Sequence, residues 1–123
     1  MNTMEVTISK GQHATIFTLK GRLDSNTAPQ FEKQLQDFLV SPNSHLVFDF
    51  DNLEYISSAG LRVILNTAKA YSSGPYHFAA CAMQEHVQEV FEISGFDSFI
   101  TIHRSVDESL SALDKDQESK SEA

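Results

Sequence analysis

The segment DFDNLEYISSAGLRVIL, residues 49–65, carries two adjacent hydroxyls, Ser57 and Ser58, where an apolar strand-like run gives way to an amphipathic helix. A hydroxyl at a helix start can do two kinds of work. Its oxygen can accept a first-turn N–H and cap the helix, for about 1 kcal/mol. It can also accept a phosphoryl group, because free amides and the positive end of the helix dipole favour an anion there by roughly 0.3 to 2 kcal/mol. With the helix read as starting at Ala59, Ser58 is the expected cap. Phosphorylation at that place is compatible with an intact fold.

Other chemistries find less support. A hydrolase nucleophile elbow needs a glycine two residues before the serine, and the chain has Ile56 or Ser57 there. None of His13, His45, His77, His86 and His103 has a local motif that would make it the serine's base, and none forms a helical i, i+4 pair. The nearest mixed metal set is Cys81, His86 and Glu89, where the ordinary expectation is a small buried thiol and a solvated helix histidine. Neither G-x-G-x-x-G nor a Walker pattern occurs, so nucleotide hydrolysis is not supported. Asp49 and Asp51 share a strand face, and with Asp24 they could form an acidic pocket that binds magnesium and accepts phosphate on a carboxylate. Carboxylates at strand ends are more commonly solvated or capping. No cofactor is expected, and the chain is not read as an enzyme.

The elements that would position the serines follow from periodicity. MEVTIS and HATIFTLKG alternate, with Lys10, Gly11 and Gln12 between them, and predict an antiparallel hairpin. Thr27 three residues before Gln30 has the pattern of a capping box, with Pro29 in the first turn and a stripe of Ala28, Phe31, Leu35, Phe38 and Leu39. HLVFDF then predicts a strand, and Leu61, Ile64, Leu65 and Ala68 the buried stripe of the next helix. After the break at residues 72–75, YHFAACA reads as a strand and QEHVQEVFEISGF as a helix with Val87, Val90 and Phe91 inward, capped by Gly95. FITIH and SVDESLSAL repeat the unit. The class is therefore α/β, with an antiparallel N-terminal hairpin followed by parallel strands, about five in a mixed sheet, and about four helices. One domain is expected over residues 1–113, with an acidic, disordered tail over 114–123.

The composition, 41% hydrophobic and 21% charged, is that of a chain that buries one core. Its formal charge of −8 leaves no basic cluster able to neutralise a row of phosphates, which argues against nucleic acid. Only −2 of this charge falls in residues 114–123, so the body is itself acidic. A single cysteine suits a reducing compartment, with the cytoplasm as the expected location. No apolar run reaches the length of a membrane span, and the N-terminus has no secretory h-region, so no membrane insertion is expected.

Three stretches in order, GRLDSNTA, ISSAGLRVIL and VFEISGF, resemble the STAS family, in particular its single-domain anti-sigma factor antagonists of bacteria. They are similar to the family's G-x-L-D and Thr-Ala helix start, its D-S-[SA]-G-L acceptor segment and its F-x-x-[ST]-G stretch. Aligned on Gly60 and Leu61, the family's acceptor serine falls on Ser58, with Ser57 the runner-up in place of the usual acid. The resemblance implies a partner switch. The unmodified protein binds an anti-sigma factor that is also its serine kinase, using ATP and magnesium, and frees a sigma factor; phosphorylation reverses this, and a metal-dependent serine phosphatase restores it. Asp24 and Ser25, in the loop that the family places beside the acceptor, join Ser57, Ser58, Arg62 and Asn66 as the expected partner surface, on a protein that is monomeric when free. The alternative is a STAS module in a lipid-transport or signalling scaffold, without phosphorylation.

Overall fold

The computed structural model describes residues 3–11 and 13–122, with side chains described as far as Asp114. The elements are β1 (Met4–Lys10), β2 (Ala14–Leu23), α1 (Ala28–Val40), β3 (His45–Ile56), α2 (Ser58–Ala70), β4 (Phe78–Cys81), α3 (Glu85–Ser94), a single 3₁₀ turn (Phe96–Ser98), β5 (Thr101–His103) and α4 (Val106–Glu122). The strands form one sheet in the order β1-β2-β3-β4-β5, with β1 and β2 antiparallel and the other pairs parallel. This is the mixed α/β sheet that the sequence predicts.

Alternation along each strand divides the residues between two layers. Phe17, Leu19, Leu46, Phe48, Phe50, Phe78 and Ala80 enter the main core with Phe31 and Leu35 of α1, Val63 and Ile64 of α2, and Val87 and Phe91 of α3. Its centre is aromatic: Phe17, Phe31 and Phe48 lie with ring centroids 5.4 to 6.2 Å apart, and Phe78 meets Phe48 edge-on at 4.8 Å. On the opposite face, Val47 and Cys81 are covered by Leu113 of α4, with Ile16, Val106 and Leu110 at the margin.

Several local expectations are corrected. Thr27 and Gln30 do not form a capping box: Thr27 already has helical backbone angles and makes no side-chain cap. Its hydroxyl instead donates to the Arg22 carbonyl at 2.8 Å and accepts the Asp24 N–H at 2.9 Å. β3 continues past HLVFDF to Ile56, because β2 supplies a partner along its whole length through two register shifts. The buried stripe of α2 is Gly60, Val63, Ile64 and Thr67, while Leu61, Leu65 and Ala68 are half-buried. The helix is rotated so that its one residue without a side chain faces the sheet. The backbone of α4 is helical as far as Glu122. The side chains of 115–122 and residue 123 lie outside the described residues.

Beyond Asp49, β3 has no pairing with β4. Side chains from the start of α3 take that place: Gln84 Nε2 donates to the Asp51 carbonyl at 3.0 Å and His86 Nε2 to the Glu54 carbonyl at 2.6 Å. His86 is thus exposed, as expected, yet tied to the strand that leads into the serine junction. Cys81 is fully buried while His86 and Glu89 are exposed, and among the described residues no group of three His, Cys, Asp or Glu side chains could hold a metal ion.

Burial, reinforced by the nearby charge of Asp49, raises the Cys81 thiol from 9.0 to about 12, although a hydrogen bond with Ser109 acts the other way. Burial alone lifts Tyr71 from 10.0 to about 12. Between those values the folded chain holds protons that the unfolded chain has released, so stability is full below pH 9 and falls as pH rises towards about 12. Urea unfolding as a function of pH should show the decline beginning near pH 9 in the wild type and nearer pH 10 in Cys81→Ala. An identical onset would exclude the thiol as its source.

Candidate functional site

The parallel pairing of β2 and β3 brings their C-terminal ends to one rim of the sheet, with Leu23 opposite Ile56. The turn that follows β2 and the serines that follow β3 are therefore neighbours. A backbone hydrogen bond fixes the junction: the Ser57 N–H donates to the Leu23 carbonyl at 2.9 Å. Gly60, one turn into α2, makes the approach possible. A Cβ there would lie 2.8 Å from the Leu23 carbonyl oxygen and equally close to the side chains of Leu23 and Ile56.

The capping assignment shifts by one residue. Ser57, with extended backbone, is the N-cap, and its Oγ accepts the Gly60 N–H at 3.3 Å while its carbonyl accepts the Leu61 N–H at 2.8 Å. Ser58 is the first helical residue, and it is exposed. The reason for the difference is geometric: the extended chain turns at Ser57, where the bond to Leu23 holds it, so the helix begins one residue earlier than its apolar periodicity indicates. The half-buried Ser57 hydroxyl caps the helix, and the Ser58 side chain is exposed.

Across the rim, Asp24 is only 7% exposed. Its Oδ1 accepts the N–H groups of Asn26 at 2.9 Å and Thr27 at 3.1 Å, forming the turn that starts α1. Its other oxygen lies 3.8 Å from Arg22 Nε. Asp24 thus holds the loop, and Ser25 and Asn26 stand exposed upon it. Asp24 does not join Asp49 and Asp51: it lies beyond the level of Ile56, which is itself five residues along β3 from Asp51, about 16 Å. Asp49 instead accepts the Asp51 N–H at 3.1 Å. The acidic pocket expected as an alternative is not assembled.

Arg62 and Asn66 are exposed on α2 at four and eight residues from Ser58, hence on one side of the helix with it. One surface feature escapes the sequence. Arg22 stacks on the ring of Tyr55, 4.1 Å from its centroid, at the rim beside Asp24. The pair is opposed across β2 and β3, and only the register with its two shifts brings these residues, 33 apart in the chain, together.

The STAS domain family model matches residues 4–109, and the chain belongs to that family. It is 38% identical over 102 residues to BtrV of Bordetella bronchiseptica, to which the role of anti-sigma factor antagonist is ascribed; the match covers 83% of this chain and 88% of that one. The fold is similar to that of a Thermotoga maritima protein to which the same role is ascribed, with a TM-score of 0.81 at 24% identity over 88% of this chain and 93% of the other. It is also similar to SpoIIAA of Bacillus, known in an unphosphorylated form (TM-score 0.77, 14% identity, 90% of this chain and 97% of that one) and a phosphorylated form (TM-score 0.69, 14% identity, 88% and 98%). Among the described residues, no helix is long and apolar enough to cross a membrane.

Two measurements test this geometry. In thermal or urea unfolding, Ser57→Ala should cost about 1 kcal/mol through loss of the cap, while Ser58→Ala stays within about 0.5 kcal/mol of wild type. The reverse ranking would return the cap to Ser58. Gly60→Ala should cost about 1 to 3 kcal/mol, because the added methyl meets a backbone oxygen that cannot yield without moving β2; a neutral result would show that the helix start is not pinned.

Proposed function

We propose that this STAS domain is an anti-sigma factor antagonist, switched by phosphorylation of Ser58. Its unmodified form binds an anti-sigma factor that is also a serine kinase, and so releases a sigma factor. The 38% identity to BtrV over most of both chains supports the partner class. The observation that carries the modification site is the division of labour at the junction: Ser57 Oγ is engaged by the Gly60 N–H, and the neighbouring Ser58 is exposed. SpoIIAA, similar in fold, exists in both phosphorylated and unphosphorylated forms, which fits a switch of this kind.

In the transfer, Ser58 Oγ bonds to the γ-phosphorus of ATP, held with magnesium by the kinase; the bond to the bridging oxygen breaks, ADP leaves, and the hydroxyl proton passes to a base of the kinase. A metal-dependent phosphatase reverses the change by adding water. The contact surface comprises Ser25, Ser57, Ser58, Arg62 and Asn66, with Asp24 contributing by holding the turn that presents Ser25. A phosphoserine brings a charge of about −1.5 to −2. Burying it in a contact shaped for a hydroxyl costs several kcal/mol unless a cation compensates. A penalty of about 3 kcal/mol weakens binding more than a hundredfold. No change of fold is needed, since the exposed start of a helix tolerates the anion.

The test is affinity capture with wild type, Ser58→Ala and Ser58→Asp, followed by mass spectrometry of the partner and of the modified residue. Ser58→Ala should retain a kinase partner that Ser58→Asp loses, and radiolabel from ATP should enter wild type and Ser57→Ala but not Ser58→Ala. Equal capture by the two Ser58 variants, or no label in the wild type, would overturn the proposal and favour a scaffold module.

A further inference from the structure

Arg62 stands one helical turn after Ser58, and both are exposed on α2. Side chains on a helix lean towards its N-terminus, so the surface that Arg62 covers is the turn that begins at Ser58. Residues four apart have Cβ atoms about 5 to 6 Å from each other, and an anion followed at that interval by a cation is the favourable order on a helix. Among the described residues the ion pair formed is Arg22 with Asp24 and not one of Arg62, and the first turn of α2 has no acidic side chain. The serine one position earlier has no such neighbour, because four residues after Ser57 comes Leu61, half-buried and packed against the core.

We propose that Arg62 is the in-chain counter-charge of a phosphate on Ser58, and that forming this pair withdraws Arg62 from the partner surface. The proposal rests on the reading of Ser58 as phosphoacceptor and extends it to how the modified state is held. The guanidinium presents a planar fork of donors that matches phosphate oxygens. Once engaged, it is lost as a donor to the partner. Phosphorylation then acts twice on the contact, by adding an anion and by removing a cation, on a domain that is already acidic. The same pair offsets the local cost of the dianion, so that the modified protein keeps its fold.

The experiment uses the full chain with phosphoserine installed at position 58 during synthesis, so that its outcome does not depend on any kinase. Phosphorus NMR follows the second ionisation of the phosphate, ordinarily about pH 6, in the wild type and in Arg62→Met. A guanidinium in contact favours the dianion, so the midpoint should lie about half a pH unit lower in the wild type than in Arg62→Met. With phosphoserine at position 57 instead, Arg62→Met should leave the midpoint unchanged. Coincident midpoints at position 58, or an equal change at both positions, would overturn the pair in favour of no contact or of a general field effect. Failure of the kinase to label Ser58 would instead remove the functional reading, and the two failures are told apart.

Discussion

The site depends on one close approach, the start of α2 against the end of β2. A hydrogen bond from the Ser57 N–H to the Leu23 carbonyl and the bare Cα face of Gly60 against Leu23 and Ile56 are two aspects of the same contact. The contact sets the rotation of α2, hence which residues it buries, and it stops the strand at a defined residue. It thereby decides which serine caps and which is presented. A side chain at position 60 would push the helix away from the rim and loosen both assignments together.

The remainder of the architecture supports that rim. Aromatic packing beneath α1, α2 and α3 makes the sheet a firm base, and α4 closes the opposite face over Val47 and Cys81. The two loops at the rim are held by polar groups whose bonds are local. Asp24 is buried but bonded to the backbone of its own turn, so its charge shapes a loop rather than a catalytic pocket. Gln84 and His86 secure the stretch of β3 that outruns β4 on the side away from β2, which pairs with it as far as Ile56. A surface fixed in this way suits the rigid docking proposed for it, in which modification of Ser58 would change charge at one point without remodelling the fold.

Much of this was legible in the residues. Alternation in β1 to β3, the 3.6-residue stripe of α1, Gly95 as the left-handed cap of α3 and the order of strand and helix units indicated the class and the topology, because burial imposes those periods directly on side-chain types. Helical spacing put Arg62 and Asn66 on the side of α2 that carries Ser58, whereas the place of the Asp24 turn beside the serines was implied only by the family resemblance of GRLDSNTA and ISSAGLRVIL. The errors were local. Thr27 and Ser58 have the right chemistry for caps, but the Thr27 hydroxyl is engaged by the Arg22 carbonyl and the Asp24 N–H, and Ser57 caps in place of Ser58.

Residue types and their spacing alone therefore determined a mixed α/β sheet, an acidic body and a pair of hydroxyls at the head of the second helix, since these follow from hydrophobic period, charge and backbone preference. Only the tertiary structure decided which of two adjacent hydroxyls is engaged, where the helix begins, which way it faces and that Arg22 lies on Tyr55. These depend on contacts between segments more than 30 residues apart, Leu23 with Ser57 and Arg22 with Tyr55, and on register shifts between β2 and β3 that no local pattern encodes.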